Sequence, residues 1–355
     1  MPGGEKTIHS VAELHAAGLV PTADLTALKE VAARYAVAIT PALAALIDPT
    51  DPNDPIARQF LPDPAELVTS PERADPIGDD AHSPVEGIVH RYPDSVLLKL
   101  VHVCPVYCRF CFRRAMVGPR GRPSLTRDQL AAALAYVRTH PEIWEVILTG
   151  GDPLILSARK LREVLCALAD IDHVRIVRIH TRVPAVAPER ITAERIRALK
   201  AIDRAVFVVL HANHPRELTA AARSACARLI DAGIPMLSQS VLLKGVNDDA
   251  DTLGALMRAF VEMRIKPYYL HHPDLAQGTA HLRTGIAEGQ ALMRDLRARF
   301  SGLCQPAYVL DIPGGAGKVP VGPSYVAPSR ADGGASDYRV DDLEGCPHRY
   351  PPGEP

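Results

Sequence analysis

Between residues 95 and 312, short apolar runs alternate with longer segments of helical periodicity. The runs are SVLLKLVHV (95–103), EVILTG (145–150), VRIVRIHT (174–181), AVFVVLH (205–211), IPMLSQSVLL (234–243), KPYYLHH (266–272) and AYVLDI (307–312). Between them, TRDQLAAALAYVRTH, SARKLREVLCALAD, TAERIRALKAI, LTAAARSACARLIDAG, DADTLGALMRAFVEM and GIAEGQALMRDLRARF place apolar residues three and four apart. Near-continuous apolar strands alternating with helices predict a parallel sheet with helices outside it. No Gly-rich dinucleotide fingerprint accompanies the repeats. The pattern therefore favours the α/β class and a partial or complete (β/α) barrel over a doubly wound sheet.

The flanks read differently. Residues 1–60 look helical in three pieces, SVAELHAAGL, LTALKEVAARYAV and TPALAALI, each opened by Ser or Thr in a capping position. The stretch DPTDPNDPIARQFLPDPAEL cannot hold a long helix and is expected to run as a turn-rich strap over the surface. The final residues, SRADGGASDYRVDDLEGCPHRYPPGEP, read as a polar, loosely ordered tail. The expected organisation is a helical extension and strap over 1–84, a barrel core over 85–327 and a tail over 328–355.

Composition narrows the setting. Lys+Arg 40 against Asp+Glu 41 leaves a net charge of −1, so no global field favours nucleic acid or an anionic membrane. Hydrophobic residues make up 47%, enough for a full core. MPGGEKTIHS does not read as a signal peptide, and no apolar run reaches the length of a membrane span. The seven cysteines are three clustered and four scattered, which is not a disulfide framework. A reducing cytoplasm is the expected location.

The clustered cysteines carry the sharpest chemistry. Cys104, Cys108 and Cys111 in VCPVYCRFCFRR follow the first strand with Cys-x3-Cys-x2-Cys spacing. Three thiolates serve three irons of a [4Fe–4S] cluster and leave the fourth open. A partial zinc site is the alternative, but zinc knuckles pair two hooks and no second hook is present. A second segment, LDIPGGAGKVPVGPSYV (310–326), ends a strand at Asp311 and carries a lone lysine, Lys318, on a Gly-rich turn. Such a lysine can form a Schiff base with an aldehyde such as pyridoxal phosphate (PLP), cradle a nucleotide phosphate, or simply sit on a solvated turn. Cys104, Gly150-Gly151-Asp152, Asp274 and Lys318 each lie just past a strand, at the rim where barrel enzymes place their chemistry.

The three-cysteine pattern resembles the radical S-adenosylmethionine (SAM) enzymes. With HRYPD, ILTGGDPL, RIHTRVPAVAPERIT, HANHPREL, SQSVLLKGVND, KPYYLHHPDLAQGTAHLRT and the Lys318 segment, the chain resembles the lysine 2,3-aminomutase family from about residue 85 to 327. The resemblance implies a [4Fe–4S] cluster on Cys104, Cys108 and Cys111, and SAM held by Thr149, Gly150, Gly151, Asp152 and Gln239. It implies PLP on Lys318, with Arg91 and Tyr92 at its phosphate, a use that suits an arginine fork. His271 is a further candidate in the cofactor pocket. Arg113 would take the substrate α-carboxylate, while Asp274 and Asp311 would grip a distal ammonium.

Outside the resemblance, both acids could be helix caps or rim salt bridges, and Arg113 and Arg114 a solvated pair. The implied reaction is 2,3-amino migration interconverting L-lysine and β-lysine, with arginine or another amino acid as the alternative substrate. Supply of β-lysine for elongation factor P modification and a non-catalytic metal-binding protein are further alternatives. The implied partners are an amino acid and a reductant such as flavodoxin or ferredoxin; no nucleic-acid or membrane partner is expected, and a homo-oligomer stays open. Some relatives carry a structural zinc site, but Cys346 and His348 alone do not complete one, and no zinc is expected.

Overall fold

A computed structural model of the chain describes residues 6–69, 71–118, 122–328 and 338–351. Its centre is a nine-stranded sheet whose spatial order follows the chain. The strands are β1 (Ile88–Tyr92), β2 (Ser95–Val101), β3 (Glu145–Gly150), β4 (Ile176–Thr181), β5 (Ala205–His211), β6 (Met236–Val241), β7 (Lys266–His271), β8 (Ala307–Ile312) and β9 (Gly317–Pro320). β2 to β8 run parallel, while β1 and β9 flank them antiparallel. The predicted runs thus become the parallel strands of a nearly closed (β/α) barrel.

Six helices cross between the parallel strands: Arg127–Arg138, Ala158–Ala169, Ala193–Leu199, Ala220–Asp231, Ala250–Glu262 and Ile286–Arg299. Local chemistry starts them. Thr126, Ser157, Thr192, Thr219 and Asp249 each accept a hydrogen bond from a first-turn amide, satisfying a donor that the helix itself cannot. At the last helix Glu288 reaches back to the Gly285 amide. At the N-terminus Ser10 and Thr40 cap as expected, but the middle helix, Leu25–Arg34, opens from a 3-10 turn without a side-chain cap.

The strands depart from continuous apolarity where it matters. β4 and β6 alternate fully buried with half-buried positions, the buried ones facing the helices. A closed barrel fills its lumen with branched aliphatic layers. Here the half-buried set includes Arg178, His180, His211, Gln239, Tyr269 and His271. Arg178 of β4 reaches Tyr268 of β7, its guanidinium carbon 5.8 Å from the ring centre.

Between β1 and β9 side chains bridge the seam. The Lys318 amide donates to the Tyr92 hydroxyl at 2.7 Å, Arg91 lies 3.7 Å from Asp311, and the His82 ring meets the Gly315 carbonyl at 3.0 Å. Lys318 stands on β9 rather than on the turn before it. Gly314, Gly315 and Gly317 take φ of +85°, +89° and +111°, so the chain reverses quickly enough to set Lys318 opposite Asp311.

The expected surface strap is the largest correction. It does contain only a short helix, Pro55–Phe60, and a 3-10 turn, Pro64–Leu67. Yet Asp54, Gln59, Glu66, Glu72 and Asp79 are all buried. Arg109 makes a two-pronged ion pair with Glu66, which Arg114 also engages. Asp54 pairs with Arg216, Glu72 with Arg283, and Asp79 with Arg91 and Arg113. Buried carboxylates persist where cations neutralise them, and the barrel rim supplies arginines.

The tail also differs from expectation. Val326–Pro328, Tyr338–Asp341 and Pro347–Tyr350 pair as a small antiparallel sheet, its last turn fastened by Asp342 accepting the amides of Glu344 and Cys346. No helix among the described residues is long and apolar enough to cross a membrane.

Removing the charge of Glu66 leaves two buried guanidinium groups without their shared counter-ion. Glu66→Gln is expected to destabilise the fold by about 3–5 kcal/mol, read as a lower urea midpoint. An unchanged midpoint would show that the strap is not held by this triad.

Candidate active site

Past β2 the chain turns into the cysteine loop. Cys104, Cys108 and Cys111 line one small cavity with Tyr107, Arg109 and Arg114. All three are free thiols. Burial, then the charge of Asp152 and the two other thiols, pushes Cys104 well above the ordinary thiol range. Burial pushes Cys108 up to about 11 against the lowering effect of Arg182, and burial raises Cys111 as well. Three half-buried sulfurs that oppose one another's ionisation suit a cationic centre that neutralises them together. No group of three or more His, Cys, Asp or Glu among the described residues surrounds a point as a single metal ion requires. A cubane does not need that convergence, because each sulfur serves a different iron.

The loop is held rigidly. Its Arg109 amide donates to the Gln59 carbonyl at 2.8 Å, and the Tyr107 amide to Ala38 at 3.2 Å. Arg114 lies over the Tyr35 ring, 3.6 Å from its centre. A solvated Arg113–Arg114 pair is therefore excluded: both are 8% exposed.

The Thr149–Asp152 turn packs against the end of β2. The Gly151 and Asp152 amides donate to the carbonyls of Val101 at 2.6 Å and Val103 at 3.1 Å. A Cβ on Gly151 would lie 2.2 Å from the Val103 carbonyl oxygen, so only glycine fits. Asp152 faces inward. It accepts from Leu154 at 3.0 Å, Thr181 at 2.7 Å and the Arg182 amide at 2.7 Å, and burial raises its pKa. Its carboxylate joins three elements, and with two amides committed the turn offers a ligand acceptors rather than donors.

Across the lumen, Lys318 pairs with Asp311, and its ammonium lies 3.3 Å from His271 Nδ1. Burial would lift Asp311, but His271 and Lys318 outweigh it and hold the carboxyl down to about 2. His271 is kept below the usual imidazole range, first by burial and then by the Lys318 charge. Asp274 differs: burial, then the charge of Asp311, pushes it up to about 7, while Lys318 and Arg113 act the other way. Its Oδ1 is buried without a hydrogen-bond partner among the described residues. Arg113 donates to Asp79 at 2.9 Å and to the Thr149 hydroxyl at 3.4 Å, linking the cysteine loop to the turn after β3. The geometry thus gathers Lys318, Asp311, His271, Arg91 and Tyr92 by direct contact. Gln239 stands apart from that cluster, between His211 and Tyr269 in register.

Glu66, Asp79, Gln59, Arg182 and Glu217 escape a motif reading. One signal was available: the segments after the strands contain arginines with no acid beside them, in a chain of near-zero net charge. Their counter-ions had to come from elsewhere, and the Asp-rich strap was the richest source. His180 and His211 are further half-buried imidazoles in the lumen, each with a buried Nε2 that has no partner among the described residues and a pKa driven well down by desolvation.

The radical SAM superfamily profile matches residues 98–256. L-lysine 2,3-aminomutase of Clostridium subterminale is 43% identical over 291 residues, covering 82% of this chain and 70% of that protein. The Escherichia coli (strain K12) protein of the same name is 38% identical, covering 76% of this chain and 79% of its own. Glutamate 2,3-aminomutase of Clostridioides difficile (strain 630) is 36% identical, covering 86% and 72%. Radical SAM enzymes work with a [4Fe–4S] cluster and SAM, and the lysine 2,3-aminomutases with PLP besides. The chain is a radical SAM aminomutase, an isomerase, and belongs to the lysine 2,3-aminomutase family.

Proposed function

We propose that this protein is a PLP-dependent lysine 2,3-aminomutase interconverting L-lysine and β-lysine. One observation carries the reading: half-buried Asp274 feels the charge of Asp311, and its buried Oδ1 has no hydrogen-bond partner among the described residues. An acid pair of this kind is completed by a cation. A glutamate side chain would add a third negative charge, so the glutamate activity named for one relative is disfavoured here.

The cluster and SAM, when bound, supply one-electron hydrogen-atom abstraction, and PLP supplies the conjugated carbonyl carrier for the migrating amine. Cys104, Cys108 and Cys111 would each hold one iron. The Thr149–Asp152 turn presents carbonyl oxygens, which suit the methionine ammonium of SAM, and Gln239 gives a second contact. Lys318 would hold PLP, with Arg91 and Tyr92 at its phosphate; Arg91 Nε is buried without a partner among the described residues, a donor in reserve. Arg113, steadied by Asp79, takes the substrate carboxylate.

Lys318 now neutralises Asp311. With Lys318 holding PLP the acid pair would need another cation, and a substrate ε-ammonium would have the right charge. His271 keeps Asp311 oriented through that exchange. The nearly closed sheet excludes water from the reacting atoms and fixes their approach. We assign catalysis to 85–327, with 1–84 as its extension and 328–355 as a tail. A flavodoxin- or ferredoxin-like electron donor and a cytoplasmic setting suit an oxygen-sensitive cluster.

Anaerobic enzyme reconstituted with iron, sulfide and PLP, then given SAM and dithionite, is expected to form a β-amino acid from L-lysine and none from L-arginine or L-glutamate. Turnover of either of the others instead would overturn the substrate assignment. Cys108→Ala is expected to abolish iron binding and SAM cleavage together. Lys318→Ala should keep both while losing the borohydride-reducible PLP adduct; an adduct at another lysine would refute that role.

The Asp274 carboxyl also fixes a pH dependence. A bound cation favours its ionised form, so below about pH 7 each lysine bound must displace a proton. KM for lysine should rise as pH falls toward about 6, by at most about tenfold per pH unit. Asp274→Asn should flatten that slope, and a wild-type KM constant from about pH 6 to about 8 would remove Asp274 from the pocket.

A further inference from the structure

Arg182 opens the loop after β4 and meets the cysteine loop at Cys108. Its Nη1 donates to Cys108 Sγ at 3.4 Å, and its Nη2 to Gln59 Oε1 at 3.1 Å and to the Glu217 carboxylate. Its backbone amide is fixed on Asp152, and the rings of Phe60 and Phe110 lie 4.7 and 5.3 Å from the guanidinium carbon. Arg182 is 6% exposed. Glu217 is immobilised in turn, accepting the amides of Asn213 at 2.8 Å and His214 at 3.0 Å and the Gln59 side chain at 3.3 Å. The guanidinium is therefore oriented by strap, barrel and aromatic faces, with one N–H aimed at a sulfur.

We propose that Arg182 is a positioning residue for electron entry, acting through Cys108 to make the cluster easier to reduce. This rests on the assignment of Cys108 as an iron ligand. A cubane bearing three thiolates is already an anion, and the electron it takes from a one-electron donor adds negative charge without moving a proton. A permanent cation that hydrogen-bonds one sulfur stabilises the reduced state more than the oxidised one, and hydrogen bonds and net charge are what set such potentials. Glu217 limits the effect. It neutralises Arg182 on the side away from the sulfur, so that the guanidinium tolerates burial while its N–H remains directed at Cys108.

The test is a redox titration of reconstituted wild type, Arg182→Gln and Glu217→Gln, with reduced cluster read by electron paramagnetic resonance and iron counted in each. Arg182→Gln with full iron is expected to lower the reduced-to-oxidised ratio at a given potential by about tenfold, equivalent to about 59 mV for a one-electron couple. Glu217→Gln should move the ratio the other way. Full iron with a wild-type midpoint in Arg182→Gln would overturn the proposal, because a purely structural arginine would not move the potential. If Arg182→Gln loses its iron, Glu217→Gln decides, and a midpoint that fails to rise overturns it equally. A wild type that assembles no cluster would sink the iron-ligand reading itself, and this inference with it.

Discussion

Glu66 between Arg109 and Arg114 is the interaction on which the rest of the site depends. Two guanidinium groups from the cysteine loop and one carboxylate from the strap meet out of water, where none is tolerable alone. The same arrangement recurs round the rim, with Asp54, Glu72 and Asp79 each meeting an arginine from a barrel loop. The strap is thus the anionic half of a structure whose cationic half lies after the strands. A barrel without it would expose a ring of arginines and a loop with no fixed shape.

That division explains how one lumen accommodates opposed electrostatics. On the cysteine side, cations back the sulfurs: Arg114 and Arg109 through Glu66, and Arg182 directly. On the far side, two carboxylates face inward and share one lysine. Arg113 and Thr149 lie between them. The charge of the lining thus changes sign from the arginine beside the cysteine loop to the acids opposite.

Much of this was legible in the chain. The apolar runs locate every parallel strand because each is buried against helices on one face, and the caps at Thr126, Ser157, Thr192, Thr219 and Asp249 mark where helices begin. The cysteine spacing and the glycine hairpin before Lys318 announce chemistry because few structural tasks need them. What sequence could not convey was pairing at a distance. Asp and Glu among prolines read as a solvated segment by local composition, and only the fold brings Glu66 to Arg114 or Glu72 to Arg283. The alternation in β4 and β6 was masked for a related reason: its inward residues face a ligand space rather than water or core. The tail sheet was missed because its strands are short and polar and its pairing needs residues on both sides of a gap in periodicity.

The strap's partners also impose an order on assembly. Glu72 engages Gly278 and Arg283, residues 206 and 211 positions further along the chain. A contact of that separation carries a large loop-closure term and forms late. It cannot form during synthesis until the seventh strand and the loop after it have emerged. The strap is made first but fastened in two stages, Glu66 to arginines 43 and 48 residues on and Glu72 only later. Until Glu72 is fastened, that end of the strap lies loose over the rim while Glu66 already holds the cysteine loop.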